Sequence, residues 1–304
     1  MIVSVIIPTY KRSLRLPIAI ESVLNQTYRP VEIIVVDDNG DNEYRIETKS
    51  VLEKYISQNK ITYIEHKTNK GGCAARNTGA SSAKGEYIAF LDDDDFYEPT
   101  KIEEQINFLK NNKNLDACMC SMYRIYENNQ QIESRENIAR GETLKEAILD
   151  GNVFTSMLLI KKEVFFKIGG FSEIPRFQDK YFHYKFLENG YRIGILNKQL
   201  LTLVEHSEER ISLVASNKVI ISLNKLHEFE IKYKTLFDNK EWKFIMNRFY
   251  YEKAYDQVKG DFKQKINAII NIFKSLPYFT GQFNYLILFI KVLTPNFILK
   301  KRYK

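Results

Sequence analysis

The sequence predicts an α/β domain built on a mostly parallel, Rossmann-like sheet flanked by helices, followed by a helical C-terminal region. Three observations carry this reading. Over the first hundred residues β-rich runs alternate with stretches of helical spacing. The runs are short and almost wholly apolar, as strands covered on both faces are. Polar clusters, two of them Asp-rich, follow three of them directly, where open parallel sheets bind ligands beyond the strands' carboxyl ends.

Taken in order, Val3 to Ile7 reads as the first strand and leads into Pro8-Thr9-Tyr10. Leu14 to Leu24 has helical spacing, and Val31 to Val36 reads as a strand ending in Asp37-Asp38-Asn39-Gly40-Asp41. Tyr44 to Ile56 is helical, Ile61 to Glu65 is a strand, and Gly71-Gly72 precedes a helix from Ala74 to Ala83. The strand Tyr87 to Leu91 then runs into four aspartates, Asp92 to Asp95. Leu115 to Tyr126 and Val153 to Ile160 are strand-like, Gln178 to Glu188 is helical, and Arg192 to Leu196 is a further strand. Beyond about residue 215 the pattern is helical, which divides the chain into 1–215 and 216–304.

Composition narrows the class. With 304 residues, 44% hydrophobic and 27% charged, the chain matches a soluble globular protein and excludes collagen-like, disordered and disulfide-scaffold classes. Cys73, Cys118 and Cys120 make neither an even framework nor a CxxC pair, so a reducing cytoplasm is expected. The first residues lack the basic, then long apolar, segments of a signal peptide. The longest strongly apolar run, Tyr285 to Ile290, is interrupted by Lys291 and falls short of the roughly 20 residues that span a bilayer.

The net charge is +7, yet residues 262–304 alone hold eight Lys or Arg and no carboxylate. A basic excess confined to that tail argues against a nucleic-acid groove. Within it, Ile266, Ile269, Ile270 and Phe273 follow helical spacing among Lys265, Asn267, Asn271 and Lys274. Two readings stay open: a helix packed on the rest of the protein, or one lying on an anionic membrane surface. A peripheral position at the inner face of the cell membrane is the corresponding expectation.

Four consecutive carboxylates beside a buried strand repel one another, and a divalent cation relieves that repulsion. Asp92 and Asp94 are spaced to share one oxygen-ligated ion of the Mg²⁺ or Mn²⁺ kind. A calcium loop starting at Asp92 fails, because Tyr97 stands where its sharp turn needs glycine and Phe96 replaces a ligand. Neither GxGxxG nor GxxxxGK[ST] occurs, nor GxSxG or HExxH, so dinucleotide, P-loop, serine-hydrolase and zinc-protease chemistries lack residues to carry them.

Four ordered motifs carry a resemblance. Val3-Ser4-Val5-Ile6-Ile7-Pro8-Thr9-Tyr10, Val35-Val36-Asp37-Asp38, Asn69-Lys70-Gly71-Gly72 with Ala75-Arg76-Asn77, and Phe90-Leu91-Asp92-Asp93-Asp94-Asp95 together resemble glycosyltransferase family 2 over roughly residues 1–210. The resemblance implies the GT-A fold and an inverting, metal-dependent sugar transfer from a nucleotide donor, UDP-linked, to a cell-surface glycan or lipid-linked acceptor.

It also implies roles. Pro8, Thr9, Tyr10 and Asp38, with Asp37 second to it, would line the base and ribose pocket, the Asp38 carboxylate accepting from uracil or a sugar hydroxyl. Gly71 and Arg76 would face ribose or phosphate at a helix N-terminus. Asp92 and Asp93 would serve the donor, and Asp94, Asp92 and His206 the metal, with Arg210 neutralising the leaving diphosphate. Asp179, in the segment after Gly169-Gly170-Phe171-Ser172-Glu173, would be the general base, with Glu173 the alternative. A homo-oligomer is compatible with this reading. Competing readings are a sugar-nucleotide pyrophosphorylase, which needs a glycine-rich basic loop after the first strand, and a non-catalytic subunit that keeps the fold.

Overall fold

The computed structural model of the chain describes residues 1–128, 131–205, 216–279, 281 and 284–293. Their contacts form two compact units, Met1–Glu173 with Gln178–His206, and Ile174–Phe177 with Ser207–Lys304.

In the first unit the chain runs β1 (Val3–Thr9), α1 (Leu16–Leu24), β2 (Val31–Asp37), α2 (Glu43–Ser57), β3 (Thr62–Glu65), α3 (Gly72–Ser82) and β4 (Tyr87–Phe90). There follow β5 (Phe96–Tyr97), α4 (Lys101–Asn111), β6 (Ala117–Asn128), β7 (Gln131–Asn137), α5 (Leu144–Asp150), β8 (Leu158–Lys161), α6 (Lys162–Ile168), α7 (Gln178–Glu188) and β9 (Ile193–Glu205). The strand order is β3-β2-β1-β4-β8-β6-β9-β5, with β7 pairing on β6. The first four strands are parallel, as the repeated strand-helix rhythm predicts. Beyond β4 the sheet is mixed: β8 runs antiparallel to β4 and β6, β9 parallel to β6, and β5 antiparallel to β9. Apolar runs reveal buried strands but not their direction, so this switch had no signature in the sequence.

Alternation along β2 shows that both faces are covered. Ile34 and Val36 meet Ala75 and Ala83, whereas Ile33 and Val35 join the main core with Leu16, Ala19, Ile20 and Leu52. The approach of α3 is close because Gly79 has no side chain: a Cβ there would overlap Ile6 Cγ2 and stand 3.2 Å from Val36 Cγ2. Gly79→Ala is therefore expected to lower stability by about 1–3 kcal/mol through overpacking, read as a fall in the denaturant midpoint.

β7 and β9 are among the elements that depart from the expected pattern, as are the short β5 and β8, the latter confined to Leu158–Lys161 of the run from Val153. β7 is polar (Gln-Ile-Glu-Ser-Arg-Glu-Asn), so no apolar alternation marks it. β9 runs on past the strand expected at Arg192 to Leu196, carrying the exposed Asn197 and Lys198 across a stretch where its register with β6 shifts.

The second unit is helical: α8 (Ser216–Lys232), α9 (Asn239–Gln257), α10 (Phe262–Ser275) and α11 (Tyr285–Leu293). Ala254 and Val258 at the end of α9, Ala268 and Ile272 of α10, and Leu288 and Val292 of α11 form its small core. No helix among the described residues is long and apolar enough to cross a membrane.

Candidate active site

The parallel register sets the ends of β1, β2 and β4 side by side, Thr9 against Asp37 and Ile6 against Phe90. The loops leaving those ends carry the polar clusters, which places them at one edge of the sheet.

After β1 the chain turns through Lys11 in a left-handed conformation (φ 58°). Asn39, buried at the end of β2, accepts the Lys11 N–H at 2.7 Å and so holds that turn. Thr9 is buried at the strand end, Pro8 lies beyond the last β4 partner of β1, and Tyr10 donates its N–H to Asp93 at 3.4 Å.

Asp37 and Asp38 are both buried and both engaged internally. Asp37 accepts from the Asn39 N–H at 2.8 Å and from the Tyr63 hydroxyl at 2.6 Å. Burial, and then this carboxylate, push the Tyr63 hydroxyl's pKa far up. Each Asp38 oxygen takes two donors: Oδ1 from His66 Nδ1 (2.7 Å) and the Lys70 N–H (2.8 Å), Oδ2 from Asn69 Nδ2 (3.0 Å) and the Gly71 N–H (2.7 Å). All four acceptor positions of this carboxylate are filled from within. That differs from the expectation that Asp38 accepts from uracil or a sugar hydroxyl. Gly71, at φ 87°, gives its amide to Asp38, which differs likewise from an amide aimed at ribose or phosphate.

The acidic run after β4 divides in two. Asp93 and Asp95 turn inward, 5% and 3% exposed, whereas the side chains of Asp92 and Asp94 are 40% and 14% exposed. Asp95 accepts the Val204 N–H of β9 at 3.1 Å. Burial, with Asp94's charge second, pushes Asp93 up to about 7 and raises Asp95 as well. The outward pair is matched by guanidinium groups: Arg12 binds Asp94 and stands 3.7 Å from Asp93, while Arg76 binds Asp92. The counter-charge that the sequence assigned to a divalent cation is thus already present as two arginines. Arg76 is buried, and its Nε has no partner among the described residues.

Asp179 enters from the first turn of α7. It lies within the electrostatic reach of Arg76 and Asp92, so the structure gathers these three expected site residues. Burial raises its pKa, against the Lys180 N–H, which donates to it at 2.8 Å, and the charge of Arg76. Asp179 also lines a cavity of about 20 Å³ with Met119, Phe154, Phe171, Phe182 and His183, room for about one water. Glu173, by contrast, is exposed. His206 and Arg210 lie outside the described residues.

The loop before Asp179 is anchored by Asn77 of α3. Its Nδ2 donates to the Phe171 carbonyl at 2.8 Å and its Oδ1 accepts the Phe171 N–H at 2.9 Å. Phe171 in turn packs on Phe90 and Phe182, with ring centroids 5.2 and 4.8 Å away. Sequence reasoning gave no role to Arg12, His66 or Asn77. The signals were present: Arg12 directly follows the first polar cluster, and Asn77 stands beside Arg76 in a quoted motif.

His183, four residues after Asp179 on α7, donates from Nε2 to the Gly141 carbonyl at 2.6 Å. Burial lowers its pKa to about 4 from an ordinary 6.5. Between those values the unfolded chain holds a proton that the folded chain refuses, so stability falls as pH drops from 6.5 towards 4. The loss attributable to His183 is about 3 kcal/mol, and His183→Gln should flatten that part of the stability-pH curve in urea titrations.

The profile of the family described as "Glycosyl transferase family 2" matches residues 4–180, more than half of the chain. The chain belongs to glycosyltransferase family 2. An uncharacterized glycosyltransferase of Haemophilus influenzae is 34% identical over 184 residues, which cover 59% of each chain. The chain thus spans about three-fifths of that relative's length. The Escherichia coli enzyme named UDP-Glc:alpha-D-GlcNAc-diphosphoundecaprenol beta-1,3-glucosyltransferase WfaP is 39% identical over 112 residues, 37% of this chain and 43% of that one. Among solved structures, S. aureus TarS aligns with a TM-score of 0.64 at 18% identity, covering 93% of this chain and 50% of TarS. TarS 1-349 in complex with UDP-GlcNAc aligns with a TM-score of 0.60 at 17% identity, covering 91% of this chain and 89% of that one. The fold of the family 2 chain is GT-A.

A divalent ion suits the carboxylates at the strand ends in one manner. Asp92 and Asp94 offer hard oxygen donors on one short loop, but among the described residues no group of three or more His, Cys, Asp or Glu is placed to hold an ion alone. Such a pair fits Mg²⁺ or Mn²⁺ when substrate phosphates and water complete the shell.

Proposed function

We propose that the chain is an inverting glycosyltransferase that moves a sugar from a nucleotide donor, UDP-linked, to a hydroxyl of a cell-surface glycan or lipid-linked acceptor. Residues 1–215 would form the catalytic domain and 216–304 a separate helical region. The observation that carries this reading is the convergence of Asp92, Arg76 and Asp179 at the carboxyl edge of the parallel strands. The UDP donor rests on what similar proteins use: a relative in E. coli is a UDP-Glc transferase, and TarS, which shares the fold, is bound to UDP-GlcNAc.

Asp94 and Asp92 would hold Mn²⁺ or Mg²⁺ against the donor diphosphate. When bound, the ion supplies Lewis-acid neutralisation of the leaving diphosphate. Arg12 and Arg76, which pair with those carboxylates, would pass their charge to phosphate oxygens as the donor enters. The acceptor oxygen attacks the anomeric carbon, the bond from that carbon to the diphosphate oxygen breaks, and the acceptor proton passes to the Asp179 carboxylate. A base opposite the leaving group inverts the anomeric centre. The raised pKa of Asp179 makes it a stronger proton acceptor than an ordinary carboxylate. Asp38 and Asn77 would act at one remove, holding the 66–71 loop and the 169–171 loop in place.

Purified protein incubated with a panel of UDP-sugars and Mn²⁺ should release UDP, and chelator should abolish the release. Turnover undiminished in chelator would reject the metal role, and thermal stabilisation by none of the UDP-sugars would reject the donor class.

A further inference from the structure

The helix α10 is built inside out. Its inward residues are mostly small or polar: Ala268, Asn271, Ile272 and Ser275 are buried, with Asn271 donating to Gln257 of α9 at 2.7 Å, and Ile269 packs half-buried against the same core. Its large apolar residues face the other way: Phe262, Ile266, Ile270 and Phe273 are 81%, 42%, 44% and 61% exposed. At 3.6 residues per turn these four fall within an arc of roughly 80°, with Lys263 and Lys274 along one edge and Lys265 on the other side. Leu276, just past the helix, extends the stripe at 54% exposed. Packing within the unit therefore uses the face that the sequence pattern made polar, and leaves the apolar stripe to solvent.

The charge on the same segment identifies what covers it. Residues 262–304 carry eight cations and no carboxylate, so a protein partner would need to be strongly acidic around an apolar seat, whereas an anionic bilayer offers both properties at once. We propose that the α10 stripe docks on an anionic lipid surface, Phe262, Ile266, Ile270 and Phe273 entering the acyl boundary while the flanking lysines reach the headgroups. This inference stands on unit-two geometry and charge and does not depend on the transfer reaction.

The test is cosedimentation of the full chain with vesicles of phosphatidylcholine alone or mixed with phosphatidylglycerol, beside the variants Phe262→Ser/Phe273→Ser and Lys263→Glu/Lys274→Glu. Both pairs are exposed, so circular dichroism and Tm should match the parent. The parent is expected to pellet with anionic vesicles, to release as salt rises, and to bind neutral vesicles weakly. Each double variant should lose about tenfold or more in partitioning. Equal pelleting with both vesicle types, none with either, or variants that bind like the parent would overturn the proposal. So would a parent dimer in light scattering that ignores vesicles and becomes monomeric in Phe262→Ser/Phe273→Ser, since that assigns the stripe to a second copy.

Discussion

Asp179→Asn is expected to bind donor as tightly as the parent while kcat falls by about 10²–10⁴. The carboxamide keeps the size of the side chain and the acceptor for the Lys180 N–H, so the start of α7 is preserved. What disappears is the group that takes the acceptor's proton. The pH dependence separates this role from a structural one. Because burial raises the Asp179 pKa, the parent's activity should climb with pH through a value above the ordinary carboxylate range, the base being active only when deprotonated. In the variant that acidic limb should vanish from the residual rate. Transfer at the parent level, or an unaltered limb, would remove Asp179 as base and leave it as a helix-capping acid.

The second large effect belongs to Asp38→Asn, and it falls on the fold. One carboxylate oxygen becomes an amide N–H₂ that meets two donors, either His66 and Lys70 or Asn69 and Gly71. Losing those bonds in a buried site is expected to cost roughly 2–4 kcal/mol, and Tm should fall by about 5–10 °C in the absence of any nucleotide. A side chain that only reads uracil would leave Tm unchanged and raise the donor KM. The two outcomes therefore decide between the internal clamp seen in the structure and the direct contact expected from the motif.

These cases show where the sequence was legible. Strand-forming runs at Val3, Val31 and Tyr87 were readable because each buries a continuous apolar run, the half-exposed strand at Ile61 was readable from its β-rich composition, and the helices between them from their spacing. The Asp-rich ends of β2 and β4 were readable as clusters, since polar runs after buried strands have few other uses. Which carboxylates point inward was not readable: Asp93 and Asp95 look like Asp92 and Asp94 until the turn after β4 is formed. Arg12 escaped notice because its partners are Asp93 and Asp94, about eighty positions later in the chain. The α10 helix was undecided for the same reason. Its periodicity fixed that it is amphipathic, but only the small core with Ala254, Leu288 and Val292 reveals which face is inside.

In the proposed reaction the outward carboxylates of the acidic run would hold a cation for the donor's diphosphate. A crystal structure with uridine diphosphate and manganese tests it most directly. It should place Asp94, alone or with Asp92, within coordination distance of the manganese at the diphosphate, with Arg12 or Arg76 moved from its carboxylate to a phosphate oxygen. Uridine diphosphate bound away from the ends of β1, β2 and β4, with both arginine pairs intact and no metal on Asp92 or Asp94, would contradict it.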